Sequence, residues 1–333
     1  MYASLVSFCD QQLGRVLDLF DKHNLWEDTL LIVNTDHGFL MGEHDWWAKV
    51  VTPFFQEVAH IPFWIYDPRQ PECVGHRRKA LAQTIDLPPT ILDYFGVEIP
   101  ADVQGSNLVN RMQTDEPHRE AVLYGVMGGQ VNVTDGRYVY MRAHTTENNT
   151  PLFDYTLMPT HMHSMFSVRE MQSWDKHDGF AFTKGCPVMR IPTRTPKAFL
   201  NNKTPYGSGR TATLLFDVLN DPAQEQPIFD LEIEARMLRL MIREMARNDC
   251  PPEQYERLGI PAASKSAPGH QDDSITMPTD SEIRAACVLQ SKAGQAAASN
   301  GNRALPMMPF RSLMENEPPF PHNLRLKPDY PHR

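Results

Sequence analysis

Apolar side chains at the start of the chain alternate between helical spacing and short continuous runs. Residues 2–23 place apolar side chains at helical spacing with charged and amide residues between them, which predicts an amphipathic helix that lies on another layer. These apolar residues are Leu5, Phe8, Leu13, Val16, Leu17 and Phe20. Residues 29–33 and 61–66 are short apolar runs, typical of strands covered on both faces. The order of helix, buried strand, helix and buried strand predicts an α/β layer with parallel strands.

The pattern changes near residue 120. Residues 121–126, 130–134 and 137–142 are typical of strands, and Asp135-Gly136 is a two-residue hairpin signal between the last two. A later helix is predicted over residues 231–247, where apolar side chains again recur on one face.

The chain therefore divides into three predicted parts. Residues 1–115 form an α/β domain, and residues 116–260 form a smaller subdomain with antiparallel strands and a helix. Residues 261–333 are expected to be a disordered tail, because they are rich in proline, serine, alanine, asparagine and glutamine.

Charge and cysteine usage narrow the class of protein. The chain has 41 acidic and 32 basic side chains, a net charge of −9, which argues against a nucleic-acid partner. No apolar run is long enough to span a bilayer, so we expect no membrane partner. The five cysteines are scattered and include no C-x-x-C pair, which fits reduced thiols and predicts a cytoplasmic location.

Residues that could bind a ligand follow the first apolar run, residues 29–33. There the sequence continues N-T-D-H-G over residues 34–38. Asp36 and His37 would then lie at the carboxyl end of a strand, the edge at which α/β sheets bind ligands. A carboxylate and an imidazole both suit a divalent cation, and Gly38 would let the backbone turn sharply. His44 and Lys49 follow a few residues later. Asp-His-Gly alone is a common strand-to-turn sequence, so these residues by themselves leave the metal site open.

A longer series of motifs resembles the sulfatase family of the alkaline phosphatase superfamily. The matching segments are N-T-D-H-G at 34–38, G-E-H at 42–44, Lys49, F-Q-E at 55–57, I-P-F-W-I at 61–65, T-I-D-L-P-P-T-I-L at 84–92, V-Q-G-S-N-L at 103–108, L-F-D at 215–217 and N-D-P at 220–222. The resemblance covers roughly residues 1–260. It implies an alkaline-phosphatase-like fold with a mostly parallel sheet, flanking helices and a smaller C-terminal subdomain that contains β-strands.

The resemblance also implies roles for individual residues. Asp36 and His37 would be metal ligands, Lys49 would hold the oxygens of a sulfate or phosphonate ester, and His44 would line the pocket, support the leaving group or be structural. The implied cofactor is a divalent metal, Ca²⁺ or Mn²⁺, with calcium less natural because it prefers oxygen ligands. The implied partner is a small sulfate or phosphonate ester, and a homo-oligomer is possible.

One departure from the family pattern changes the expected activity. Family members carry a nucleophile in a C-x-P-x-R or S-x-P-x-R motif upstream of Asp-His-Gly, and this sequence contains neither motif. We therefore expect the chain to correspond to the C-terminal portion of a sulfatase, with the N-terminal half missing and little activity alone. Two alternatives stay open: a non-catalytic remnant or binding protein, and a phosphonate or phosphate ester hydrolase.

Overall fold

The computed structural model describes residues 2–49, 53–146, 148–161, 164–193, 212–265 and 275–287. The helices are α1 (Tyr2–His23), α2 (Gln56–Ala59), α3 (Leu87–Tyr94), α4 (Val109–Thr114), α5 (Val168–Met171), α6 (Leu231–Arg247) and α7 (Pro252–Leu258). The strands are β1 (Leu31–Asn34), β2 (Leu40–Met41), β3 (Trp47–Ala48), β4 (Phe63–Tyr66), β5 (Val122–Gly125), β6 (Val131–Thr134), β7 (Tyr138–Arg142), β8 (Phe153–Thr156), β9 (Asp175–His177), β10 (Val188–Pro192), β11 (Leu214–Asp217), β12 (Ser264–Lys265) and β13 (Ile275–Thr276). The predicted mixture of helices and sheets is confirmed. None of the helices in the described part of the chain is long and apolar enough to cross a membrane.

The first layer consists of α1 and the strands β1 and β4. The helix is anchored at its C-terminal end, where Phe20 packs against Trp26 and the edge of Trp26 meets Tyr66 in β4. The Tyr66 hydroxyl also donates to the carbonyl oxygen of Trp26 at 2.6 Å. Aromatic contacts thus hold the end of α1 against the sheet.

The two strands of this layer are antiparallel, so the expectation of parallel strands is wrong for this pair. Asn34, the last residue of β1, lies opposite Phe63, the first residue of β4. The described residues between the two strands, 35–49 and 53–62, contain a short hairpin and the four-residue helix α2, but no crossover helix long enough to carry the chain back along the sheet. The chain therefore enters β4 at the same end of the two-stranded sheet at which it left β1.

A four-stranded antiparallel sheet with the order β11-β7-β6-β5 forms the centre of the second part. The predicted strands at its core are confirmed, and β6 and β7 pair across the turn that contains Asp135 and Gly136. Asp135 Oδ1 accepts from the backbone N–H groups of Arg137 and Tyr138, which stabilises that turn. A smaller sheet, β8-β10-β9, lies beyond it.

Alternation along the central strands gives the four-stranded sheet two buried faces. Tyr140 and Leu215 face α6, whose Asp230 N-cap accepts from the N–H groups of Glu232 and Ile233. Val139 and Phe216 face the opposite way, toward Leu40, Phe55 and Val58 of the first part. The sheet therefore joins the C-terminal core to the region that follows β1.

The prediction of a disordered tail is wrong at residues 280–287. These residues are helical and pack into the C-terminal core. Ile283, Ala286 and Cys287 are buried there at helical spacing. Thr279 and Glu282 form a reciprocal cap at the start of this helix. The averaged composition of the segment hid this short amphipathic stretch. Residues 266–274 and 288–333, on which the rest of that prediction falls, lie outside the described residues.

Candidate active site

Asp36 and His37 lie side by side directly after β1. The Asp36 Oδ2 atom is 3.3 Å from His37 Nε2, with the carboxylate 82% exposed and the imidazole 32% exposed. His37 Nδ1 lies 2.9 Å from the carbonyl oxygen of Gly38. A carbonyl oxygen only accepts, so this contact assigns the ring proton to Nδ1 and leaves a lone pair on Nε2. The Nε2 atom that carries this lone pair lies beside the Asp36 carboxylate.

The Asp36 carboxylate is held in its ionised form. Its slight desolvation acts to raise the pKa, but His37, backbone N–H groups and Lys49 together lower the pKa below the ordinary aspartate value. The backbone N–H of His37 donates to Asp36 Oδ1 at 3.0 Å, which favours the charged form directly. Asp36 therefore presents a negative oxygen to solvent at neutral pH.

A hairpin brings Lys49 to the same point. Strands β2 and β3 pair antiparallel, with Leu40 opposite Ala48, so the chain leaves His37 and returns twelve residues later. The Lys49 ammonium then contacts His37 Nε2. The structure thus brings together Asp36, His37 and Lys49, and the physical cause is the β2–β3 pairing.

Gly38 is required by a close backbone approach. A Cβ atom at this position would lie 1.7 Å from the carbonyl oxygen of Glu57, and the Gly38 N–H donates to Val58 O at 2.9 Å. Gly38 is absent from the glycines with positive φ, so the expected sharp turn is not what selects glycine here. The missing side chain instead lets the loop after β1 rest on the backbone of α2.

His44 has a different environment from the other three residues. Its ring stacks on Phe55 with centroids 3.7 Å apart and planes 12° from parallel. His44 Nε2 faces Glu57 Oε2 at 3.5 Å, and the His44 side chain is only 3% exposed. This packing favours the structural alternative for His44, and a contact with substrate stays a prediction.

Glu57 and Phe55 are residues of the site region to which sequence reasoning assigned no role. Burial acts to raise the pKa of Glu57, but the nearby His44 ring and a backbone hydrogen bond together lower the pKa below the ordinary glutamate value. Phe55 is 1% exposed and meets Phe216 of β11 edge-on at 6.2 Å between centroids. The F-Q-E motif was visible in the sequence, but its contact with the G-E-H motif depends on the fold.

Residues 1–97 match the family model described as Sulfatase. This segment is similar to the sulfatase family. The match includes Asp36, His37, His44, Lys49 and the whole α1/β1/β4 layer.

Curated proteins that are similar to this chain match it over part of their own length. The N-acetylglucosamine-6-O-sulfatase of Bacteroides thetaiotaomicron is 32% identical over 127 residues, which are 37% of this chain and 22% of the relative. The multifunctional alkaline phosphatase superfamily protein PehA of Trinickia caryophylli is 33% identical over 116 residues, 35% of this chain and 22% of the relative. The chain thus spans about a fifth of the length of these relatives.

A solved structure is similar over a larger share of the chain. The structure of BT4656 in complex with its substrate D-glucosamine-2-N,6-O-disulfate superposes with a TM-score of 0.48 at 17% sequence identity. The superposition covers 73% of this chain and 39% of BT4656.

Asp36 and His37 carry two donor atoms whose type and spacing fit a divalent cation. Ligands on adjacent positions around Ca²⁺ or Mn²⁺ lie about 3 Å apart, because each bond is only slightly longer than 2 Å. The separation of Asp36 Oδ2 and His37 Nε2 is 3.3 Å. Among the residues that the structure describes, no group of three or more His, Cys, Asp or Glu side chains could hold a metal ion. The assignment of Asp36 and His37 as metal ligands therefore stays a prediction.

Proposed function

We propose that this chain carries part of the active site of a metal-dependent sulfate ester hydrolase. Asp36 and His37 are the proposed metal ligands, and Lys49 is the proposed partner of the ester oxygens. The supporting observation is the convergence of all three on one point. Asp36 Oδ2 lies 3.3 Å from His37 Nε2, and the Lys49 ammonium contacts that same nitrogen.

Each residue has a distinct chemical task in this proposal. Asp36 holds a negative charge, and His37 presents the Nε2 lone pair because Gly38 holds its Nδ1 proton. Lys49 offers a positive charge that can stabilise the oxygens of a sulfuryl group as negative charge develops on them. A bound Ca²⁺ or Mn²⁺ would supply further neutralisation of that charge and polarise the ester.

The proposal includes no nucleophile from this sequence, because neither C-x-P-x-R nor S-x-P-x-R occurs in it. We therefore propose that the chain alone has no substantial sulfatase activity, because it contains neither of the motifs that would supply the nucleophile for covalent catalysis. Sulfate esters are preferred over phosphonates because the matched family is described as Sulfatase and a matched relative is named as a sugar sulfatase. A cytoplasmic location stays a prediction.

Metal binding gives a test that does not depend on turnover. We expect the full chain to bind Mn²⁺ weakly, with a dissociation constant of roughly 10⁻³ M, because two protein donors are far fewer than the six that hard cations usually take. Electron paramagnetic resonance of free Mn²⁺ measures the bound fraction. Asp36→Asn and His37→Ala should each abolish binding, whereas Asp18→Asn on the exposed polar face of α1 should leave it unchanged. Equal binding by Asp36→Asn and the unmodified chain would refute the ligand assignment.

Hydrolysis of p-nitrophenyl sulfate tests the second half of the proposal. The full chain with Mn²⁺ or Ca²⁺ should release no more nitrophenol than Asp36→Asn does. Turnover at ordinary enzyme rates, about 1 to 1000 per second, would show that the chain contains a nucleophile we have not identified. Mn²⁺ binding that fails in all forms of the protein would favour the non-catalytic alternative.

A further inference from the structure

The first turn of helix α2 is capped by a residue that is distant in the sequence. The helix begins at Gln56, and the preceding residue, Phe55, has no side-chain oxygen that could accept from the N–H groups of the first turn. Gln224 supplies such an acceptor, because its Oε1 atom accepts from the N–H of Gln56 at 2.7 Å. The two residues are 168 positions apart in the chain. A side chain from the turn after β11 therefore satisfies the start of α2.

The backbone of Gln224 adopts a conformation that favours glycine. Its φ angle is 51°, in the left-handed region that residues with a Cβ atom adopt at a cost. The turn holds it there, since the Gln224 N–H donates to Asp221 O at 3.0 Å. The Asp221 carboxylate also accepts from the N–H groups of Glu225 and Gln226. The Gln224 side chain is fully buried, so a glutamine at a position suited to glycine indicates that this side chain is needed where it lies.

Helix α2 in turn supports the loop that contains the proposed metal ligands. The Gly38 N–H donates to the carbonyl oxygen of Val58 at 2.9 Å. The Phe39 N–H donates to the carbonyl oxygen of Glu57 at 3.1 Å. The carbonyl oxygen of Gly38 then lies 2.9 Å from His37 Nδ1 and accepts its proton. A series of hydrogen bonds thus leads from α2 to the His37 imidazole.

Helix α2 depends on tertiary contacts because it has only four residues, too few to be stable by themselves. Phe55 and Val58 pack with Phe216 in a buried apolar cluster. Apolar packing is not directional, whereas a hydrogen bond is. The bond from Gln56 to Gln224 therefore fixes the orientation of the α2 backbone more closely than the packing does.

We propose that Gln224 is a positioning residue for the metal ligand His37. It acts through α2: the bond to Gln56 orients the helix, the helix holds Gly38, and Gly38 directs the Nε2 lone pair of His37. This inference rests on the proposed function, in which His37 is a ligand and Gln224 is not. The required feature at position 224 is an oxygen that can accept from the N–H of Gln56.

Hydrogen exchange measured by mass spectrometry on the full chain tests whether Gln224 holds the loop. Gln224→Met keeps a side chain of similar length without the acceptor, and it should speed the exchange of peptides that contain Gly38 and Phe39 on the order of tenfold. Gln224→Glu keeps an acceptor oxygen and should leave this exchange within about twofold of the unmodified chain. Gln226→Met makes the same substitution at an exposed position nearby and should change nothing. Peptides from α6 should exchange at the same rate in all of these proteins.

Binding of Mn²⁺, measured by electron paramagnetic resonance, tests the effect on the ligand itself. Gln224→Met should weaken the binding about threefold to tenfold, because a loosened loop no longer holds His37 Nε2 beside Asp36. Gln224→Glu and Gln226→Met should bind Mn²⁺ as the unmodified chain does. A role limited to general stability would not separate the Gln224→Met protein from the others while its α6 peptides exchange normally.

The other outcomes overturn the proposal or the function on which it rests. Unchanged exchange at Gly38 and Phe39 in Gln224→Met, or unchanged Mn²⁺ binding by that variant, overturns the positioning role. Equal acceleration in the α6 peptides overturns it as well, because Gln224 then stabilises the whole chain. A Gln224→Glu protein that behaves like Gln224→Met rejects the acceptor oxygen as the cause. Faster exchange at Gly38 and Phe39 in Gln224→Met, with an unmodified chain that binds no Mn²⁺, supports the positioning of the loop and rejects the proposed metal site.

Discussion

Replacement of Gly38 by alanine tests how the loop after β1 is held in place. The new Cβ would lie 1.7 Å from the Glu57 carbonyl oxygen and 2.8 Å from its carbonyl carbon, so backbone atoms must move apart. The movement strains two hydrogen bonds, from Gly38 N–H to Val58 O and from Phe39 N–H to Glu57 O. Each bond contributes about 1 kcal/mol, and overpacking of a well-packed contact costs about 1–3 kcal/mol. With partial relaxation, we expect a loss of about 2–4 kcal/mol in the free energy of unfolding.

Urea unfolding followed by tryptophan fluorescence measures this loss, and the same chain offers a matched control. Gly14 lies inside α1, and a Cβ there would meet nothing within 4 Å. Gly14→Ala should therefore stabilise the chain by about 0.5–1 kcal/mol, because alanine favours the helix. An unfolding free energy of Gly38→Ala within about 0.5 kcal/mol of the unmodified chain would refute the close approach.

Three further predictions concern carboxylates and one histidine. Asp36→Asn should change the unfolding free energy by less than about 0.5 kcal/mol, because this side chain is exposed, and a larger loss in urea unfolding would show a structural role. Asp86→Asn should cost about 3–5 kcal/mol in the same assay, because the fully buried carboxylate pairs with Arg119 at 2.6 Å; a neutral result would contradict that pairing. Burial, and to a smaller extent repulsion from Arg119, lowers the pKa of His118 below 6.5 in the folded chain. His118 is therefore protonated at a higher pH in the unfolded chain than in the folded chain. The contribution of neutral His118 to the free energy of unfolding is therefore fully present above pH 6.5 and is lost as the pH falls below that value. His118→Phe should reduce this loss, as measured by thermal melts at a series of pH values.

The sequence was most informative where chemistry and local pattern coincide. The apolar run before Asp36, the helical spacing of residues 2–23 and the hairpin signal at Asp135-Gly136 all depend on interactions between near neighbours. The structure has a strand, a helix and a hairpin at these places. The motif series by itself also points to Asp36, His37 and Lys49.

Tertiary structure alone decided the features that join distant segments. The antiparallel pairing of β1 and β4 depends on the path of the chain between them, and the burial of Ile283 depends on a core made by α6. The stacking of His44 on Phe55, with Phe216 behind it, unites three segments that no local pattern connects. Hydrophobic burial is not directional, so an apolar residue in a sequence does not reveal which surface will cover it. The same physical reason applies to α1, whose sequence predicts an apolar face while only the structure shows that Leu5 and Phe8 are exposed.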